Sequence, residues 1–244
     1  SSEVRSRRIR TVKSGKSRGI IQGFPLFVCT ALLLTSHLSL LTSQHAGHVV
    51  PVVPQALLER PVTLRTGIGR AHDTSSTKSV EAQGFYDQGL AYLHAYVWIE
   101  AARSFHQALR ADPGLALAHV GLSYAYIEVN RPTEARQAIE RARALASGNP
   151  RGLPLRESAH ERHHIEARAL QMAAEEAPAD KARLATYRKA LDTALAAFPD
   201  DVELILKRGM AESPDPADRG QGSVVASIPF FERALAAGPP STMA

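Results

Sequence analysis

Between Ala82 and Ala146 apolar and small residues return at two spacings. Within a segment they recur every three or four positions, the spacing of one helix face. Between segments the same slots come back 34 residues later. Phe85, Gly89 and Tyr92 fall on a first predicted helix, and Ala101, Phe105 and Ala108 on a second. Pro113 then stops the second helix, because proline cannot continue the hydrogen-bond ladder. The next copy places His119, Leu122, Ser123, Tyr126, Ala135, Ile139 and Ala142 in the same slots. Its turn is Asn130-Arg131-Pro132, with Thr133 expected as an N-cap before Glu134.

This arrangement resembles the tetratricopeptide repeat, whose 34 residues follow W-x2-L-G-x2-Y, then A-x3-F, then P. Small residues such as Gly89 and Ala101 let two antiparallel helices approach, while Phe85 and Tyr92 fill the space between them. Gln88 is the departure in the first copy, and Ser147 stands at the terminal Pro slot of the second. The resemblance is clearest over residues 82–146. It implies an all-α, right-handed stack of antiparallel helical hairpins, a tetratricopeptide-like solenoid.

Two less regular units extend the pattern. Residues 149–199 read as a stretched third hairpin, with one helix from about Leu155 to Ala174, a break at Ala177-Pro178 and a second helix from about Asp180 to Phe198. LDTALAAFPDD echoes FHQALRADPG, aligning Ala194 with Ala108 and Pro199 with Pro113. Residues 200–244 read as a fourth hairpin interrupted by SPDPADRGQGS, with Phe231, Ala234 and Pro239 in the repeat slots. A stack of this kind normally ends in a capping helix with a polar outer face. None follows Pro240, so this copy is expected to be truncated.

The other end of the chain has a different character. Residues 1–22 hold seven Arg or Lys and one acid, a net of +6, against +5 for the whole chain. The remainder is therefore close to neutral, which disfavours a nucleic-acid surface on the repeats. Residues 23–42 follow as an apolar run, GFPLFVCTALLLTSHLSLL and one further residue. A basic leader before such a run predicts a signal or a transmembrane anchor. The best cleavage site, after Ala46, has Gln44 at −3, where a small residue is wanted. Anchor and cleaved signal both remain open. The expected location is a bacterial cell envelope, with the repeats anchored at the inner membrane facing the periplasm, or exported to it. Residues 43–80, with Pro51, Pro54, Pro61 and the tract HDTSSTKS, read as a flexible linker ahead of the hairpins at 81–148. Cys29 stands alone, so no intrachain disulfide can form.

One tract has the spacing of a catalytic metal motif. His160-Glu161-Arg162-His163-His164 is a formal H-E-x-x-H, in which two His ligate zinc and the Glu acts as general base. At 100° per residue, however, His160 and His164 lie opposite the stripe of Leu155, Ile165, Ala169 and Met172, and no further His follows at metalloprotease spacing. The tract is expected to be a solvated face, with a zinc hydrolase using His160, Glu161 and His164 as the alternative. His72, His94 and His106 read as surface or interhelical residues. Neither a cofactor nor a catalytic residue is expected.

The resemblance instead implies a binding groove lined by the first helix of each hairpin. Its positions fall on Gln83, Tyr86, Leu90, Leu93 and His94, then Leu117, Val120, Tyr124, Ile127 and Glu128. That surface is apolar and aromatic. It lacks the Lys/Asn/Arg clamp by which family members hold a terminal carboxylate. For Tyr86 and Tyr124, packing between adjacent hairpins is the competing reading. The function expected is protein or peptide binding, as an interaction or assembly platform on the extracytoplasmic side of a membrane. A structural accessory domain of a larger protein is a further alternative.

Overall fold

The structure, a computed structural model, describes residues 52–147, 158–212 and 224–237. The basic leader and the apolar run lie outside these residues, as does the choice between signal and anchor. No helix among the described residues is long and apolar enough to cross a membrane.

The described residues form nine helices and no strand. They are α1 (Gln55–Leu58), α2 (Val80–His94), α3 (Trp98–Ala111), α4 (Ala116–Glu128), α5 (Pro132–Ala146), α6 (Ala159–Glu175), α7 (Lys181–Ala197), α8 (Val202–Met210) and α9 (Val224–Ala237). From α2 onward they pair as four hairpins, α2 with α3, α4 with α5, α6 with α7 and α8 with α9. Each hairpin packs on the next, and the first helices α2, α4 and α6 also touch in series. The fold is an all-α hairpin stack of the expected kind.

The 34-residue spacing is visible in the backbone itself. Tyr96 and Asn130 occupy the same place in successive hairpins and both have left-handed φ, 61° and 58°. Behind them Val97 N–H donates to Tyr92 C=O and Tyr96 N–H to Leu93 C=O, while Arg131 and Asn130 donate to Tyr126 and Ile127. Paired 6→1 and 5→2 bonds of this kind close a helix when the next residue turns left-handed.

Phe105 locks the first two hairpins together. It is fully buried, and its ring lies against Gly89 of α2 and Gly121 of α4. A Cβ at either glycine would sit within 2.7 Å of three ring atoms. The Gly slot of the repeat thus serves the Phe slot, and removing this ring from water is worth about 2–3 kcal/mol. Gly209 of α8 meets Phe231 of α9 in the same manner.

Residues 52–79, expected as a linker, pack on the hairpins. Leu58 is fully buried, and Val53, Val62, Ile68 and Ala71 lie against the core of the first two hairpins. Gln88 ties the lead-in to the first hairpin. Its Oε1 accepts from Arg65 N–H at 2.7 Å, and its Nε2 donates to Thr63 C=O at 3.2 Å and to Ser104 Oγ at 3.0 Å. The one departure from the repeat pattern in the first copy exchanges an apolar contact for hydrogen bonds to a segment outside the repeat.

Helix α6 starts later than the apolar pattern suggests. Ser158 accepts from Glu161 N–H while the Glu161 side chain accepts from Ser158 N–H, a capping box that sets the first turn. The helix is then buried on more than one side. Ile165 and Met172 join the core of the first two hairpins, and Ala167 joins a second core built with Leu184, Tyr187, Leu191, Leu204 and Ile205.

Candidate functional site

Of the positions expected to line a groove, Gln83, Tyr86 and His94 bond to other residues of the same chain. Residues 73–76 lie just ahead of α2. Gln83 holds them, its Oε1 accepting from Ser75 N–H and Oγ and its Nε2 donating to Asp73 C=O and Asp87 Oδ1. Tyr86 is buried, and its hydroxyl donates to Asp73 Oδ2 at 3.0 Å. Burial, then the neighbouring Asp73 charge, pushes that hydroxyl's pKa well up.

Helix α8 sends Glu203 and Lys207 to the same positions. His94 Nε2, at the end of α2, lies 2.9 Å from Glu203 Oε1 of α8, and Lys207 Nζ lies 3.2 Å from Glu203 Oε2. The Glu203 charge raises the His94 pKa despite burial. Burial alone would raise Glu203, yet His94 and Lys207 hold its carboxyl far below the usual range. Lys207 sits 5.6 Å from the Tyr124 ring centroid, and the buried Arg168 guanidinium stacks over that ring at 3.9 Å. Arg168 also donates to Ser123 Oγ and C=O and pairs with Glu175 at 3.5 Å. The Tyr124 hydroxyl donates to Gln171 Oε1 on α6.

Both tyrosine hydroxyls thus reach beyond their own hairpins, and the atoms they reach belong to this chain. Leu90, Leu117 and Val120 are buried, Leu93 and Ile127 half-buried. Sequence periodicity identifies the face and is silent on its occupant, because Asp73, Glu203 and Lys207 lie in a lead-in and a fourth hairpin far away along the chain.

At the centre of this face four side chains converge. His160 and His164, one turn apart on α6, have their Nε2 atoms 3.2 Å from one another. Each Nε2 lies 2.6 Å from Asp201 Oδ2. Asp73 Oδ1 is 3.2 Å from His160 Nε2, and Asp73 Oδ2 is 3.9 Å from that of His164. One ligand-type atom from each residue can be chosen so that all four fall within 4.8 Å of one another. The side chains of Asp73, Asp201 and His164 are 6%, 6% and 3% exposed, that of His160 17%. Burial works against a charged His160, but its bonds to Asp201 and Asp73 push its pKa up to about 10. Against the same burial, the two imidazoles hold Asp201 well below the carboxylate range.

This corrects the expectation of a solvated His face. A helical wheel scores the faces of α6 by their apolar residues, and the third face is buried among polar partners, His164 and Arg168 included. It also corrects the alternative role of Glu161, which is fully buried. One carboxylate oxygen accepts from Ser76 N–H and Oγ, the other from Ser158 N–H. A general base needs a lone pair facing the bound water; the Glu161 carboxylate is shut off from solvent, one oxygen bonded to Ser76 and the other capping α6. Asp73 lay in a tract read as linker, and Asp201 has the position of a helix N-cap, accepting from Leu204 N–H. Neither could be joined to the His pair from one sequence.

A different surface remains open. At the turn ends of the first two hairpins Val53, Tyr96, Val97, Trp98, Ile99, Glu128, Val129 and Asn130 line an open pocket of about 380 Å³. Tyr96 is 64% exposed and packs edge-on to Trp98, ring centroids 5.2 Å apart. Of the expected groove residues, Glu128 reaches this pocket.

Residues 98–158, about a quarter of the chain, match a family model described as Tetratricopeptide repeat. No curated protein and no solved structure matches the chain.

Proposed function

Starting from a chain that carries tetratricopeptide repeats, we infer that it is a protein-interaction module rather than an enzyme, and that its partner docks at the turn-end pocket beside Tyr96. The observation that carries this reading is Tyr96 itself. A left-handed backbone costs a non-glycine residue about 1–2 kcal/mol, and Asn130 shows which residue suits the equivalent turn. Here a large aromatic is kept in that conformation and left exposed against Trp98. Tyr and Trp are enriched among residues that dominate binding energy. With the inner face filled by residues 73–76 and α8, a peptide lying along α2 and α4 would have to displace buried ion pairs.

Substitution Tyr96→Asn separates binding from folding, since Asn tolerates the left-handed conformation. Peptides selected from a random display library on the full chain are expected to carry apolar or aromatic anchors. Their affinity should fall at least about tenfold, or 1.4 kcal/mol, on Y96N with the melting temperature preserved. Selected peptides that bind Y96N as well as the unaltered chain would contradict the reading. The basic leader and apolar run support a position on the extracytoplasmic side of a bacterial membrane. Protease accessibility of the repeats in intact spheroplasts tests that placement: cleavage agrees with it, and protection until lysis contradicts it.

A further inference from the structure

We propose that Asp73, His160, His164 and Asp201 form a four-coordinate site for a divalent metal of the zinc class, one that clasps the lead-in, the third hairpin and the fourth. The donor set is two imidazole nitrogens and two carboxylate oxygens, which suits zinc and the neighbouring first-row ions. In a tetrahedral site with bonds of about 2.0–2.1 Å, neighbouring ligand atoms are about 3.3 Å apart. The two Nε2 atoms are 3.2 Å apart, both lie 2.6 Å from Asp201 Oδ2, and that of His160 is 3.2 Å from Asp73 Oδ1; with one ligand atom taken from each residue, all four fall within 4.8 Å of one another.

The surroundings resemble those of a ligand set held in place. Asp73 Oδ2 accepts from the Tyr86 hydroxyl at 3.0 Å, and Asp201 Oδ1 accepts from Leu204 N–H at 2.9 Å. Each carboxylate is thereby oriented through the oxygen opposite the one nearest a His, as outer-shell partners orient metal ligands. The Phe198 ring covers His160 edge-on at 5.2 Å between centroids.

Four protein ligands leave no open position for a bound water, so the site is of the closed, structural kind. This fits Glu161, whose oxygens are committed to the capping box and Ser76. The ligands come from three segments, so metal binding couples their packing. This inference stands independently of the docking surface at Tyr96.

The test uses the full chain purified without a His tag. Elemental analysis and calorimetric titration with zinc should give one equivalent per chain, with the melting temperature raised by zinc and lowered again by chelator. His164→Gln removes a ligand, and Asp201→Asn removes a ligating charge while Asn retains the N-cap. Each should weaken zinc affinity by about a hundredfold or more, and Tyr86→Phe by about tenfold. Cobalt loaded in place of zinc should give the intense visible absorption of a tetrahedral complex. Background zinc content, titration unaffected by D201N in a protein with unchanged circular dichroism, or the weak absorption of six-coordinate cobalt would each overturn the proposal. D201N reads out even if H164Q fails to fold.

Discussion

Replacing Gly121 by Ala should destabilise the stack, although in an ordinary exposed helix the same change stabilises by about 1 kcal/mol. The new Cβ would lie within 2.6 Å of three atoms of the Phe105 ring. Carbon atoms in contact prefer about 3.5–4.0 Å, so the ring must retreat by about 1 Å or more. It has nowhere to go, because Gly89 of α2 meets the same ring from the other helix. Overpacking of this sort costs about 1–3 kcal/mol, and the upper part of that range applies to a ring hemmed on two sides. After the helix-propensity gain, a net loss of about 1–2 kcal/mol remains, or a few degrees in melting temperature for a chain of this size. Phe105→Leu, which vacates the colliding ring atoms, should be harmful alone and should absorb most of the harm of G121A. Chemical denaturation of the four members of that cycle measures the coupling. If G121A is neutral or stabilising, or if the two substitutions add, the account of how the first two hairpins lock is refuted.

Gln88→Leu restores the residue the repeat pattern calls for and should nonetheless cost about 1–3 kcal/mol, since Thr63 C=O, Arg65 N–H and Ser104 lose a buried partner. Hydrogen exchange should quicken first at the Arg65 amide; a stabilised Q88L would refute that role. Burial pushes the pKa of His106 and of His119 down to about 4, while the unfolded chain titrates near the ordinary value of about 6.5. The unfolded state therefore takes up protons first, and stability present above about pH 6.5 is lost as pH falls towards 4. Both residues are half-buried, so solvent screening brings the loss down to on the order of 1 kcal/mol each. His106→Gln should reduce the stability difference between pH 7.5 and pH 5, measured by urea midpoint. An unchanged difference would contradict the assignment.

The hairpins were legible because a repeat states its contacts locally. Phe85, Gly89, Tyr92, Ala101 and Phe105 are three to twenty residues apart, and helical spacing converts that separation directly into a face. Gly121 was not legible, since its role against Phe105 arises between hairpins. The His pair was legible as a spacing and misread as a surface, because apolar periodicity is blind to a face buried among polar groups. Asp73 and Asp201 were invisible as its partners. One reads as linker and the other as a cap, and only the stacking of the third and fourth hairpins and the course of the lead-in bring them together. The same limitation applies to the inner groove, whose residues could be named but whose occupant could not.

That occupant bears on the central claim, that this stack has filled its own inner face and binds a partner at the turn ends. Hydrogen-exchange footprinting of a library-selected peptide on the full chain tests it most directly. Docking at the turn ends should bring new protection at residues 95–99 and 129–131, with exchange in residues 73–79 and α8 unchanged. Protection along the inner positions of α2 and α4, such as Tyr86, Leu90 and Tyr124, accompanied by faster exchange in residues 73–79 and α8, would contradict it. The peptide would then be displacing the chain's own segments from a working groove.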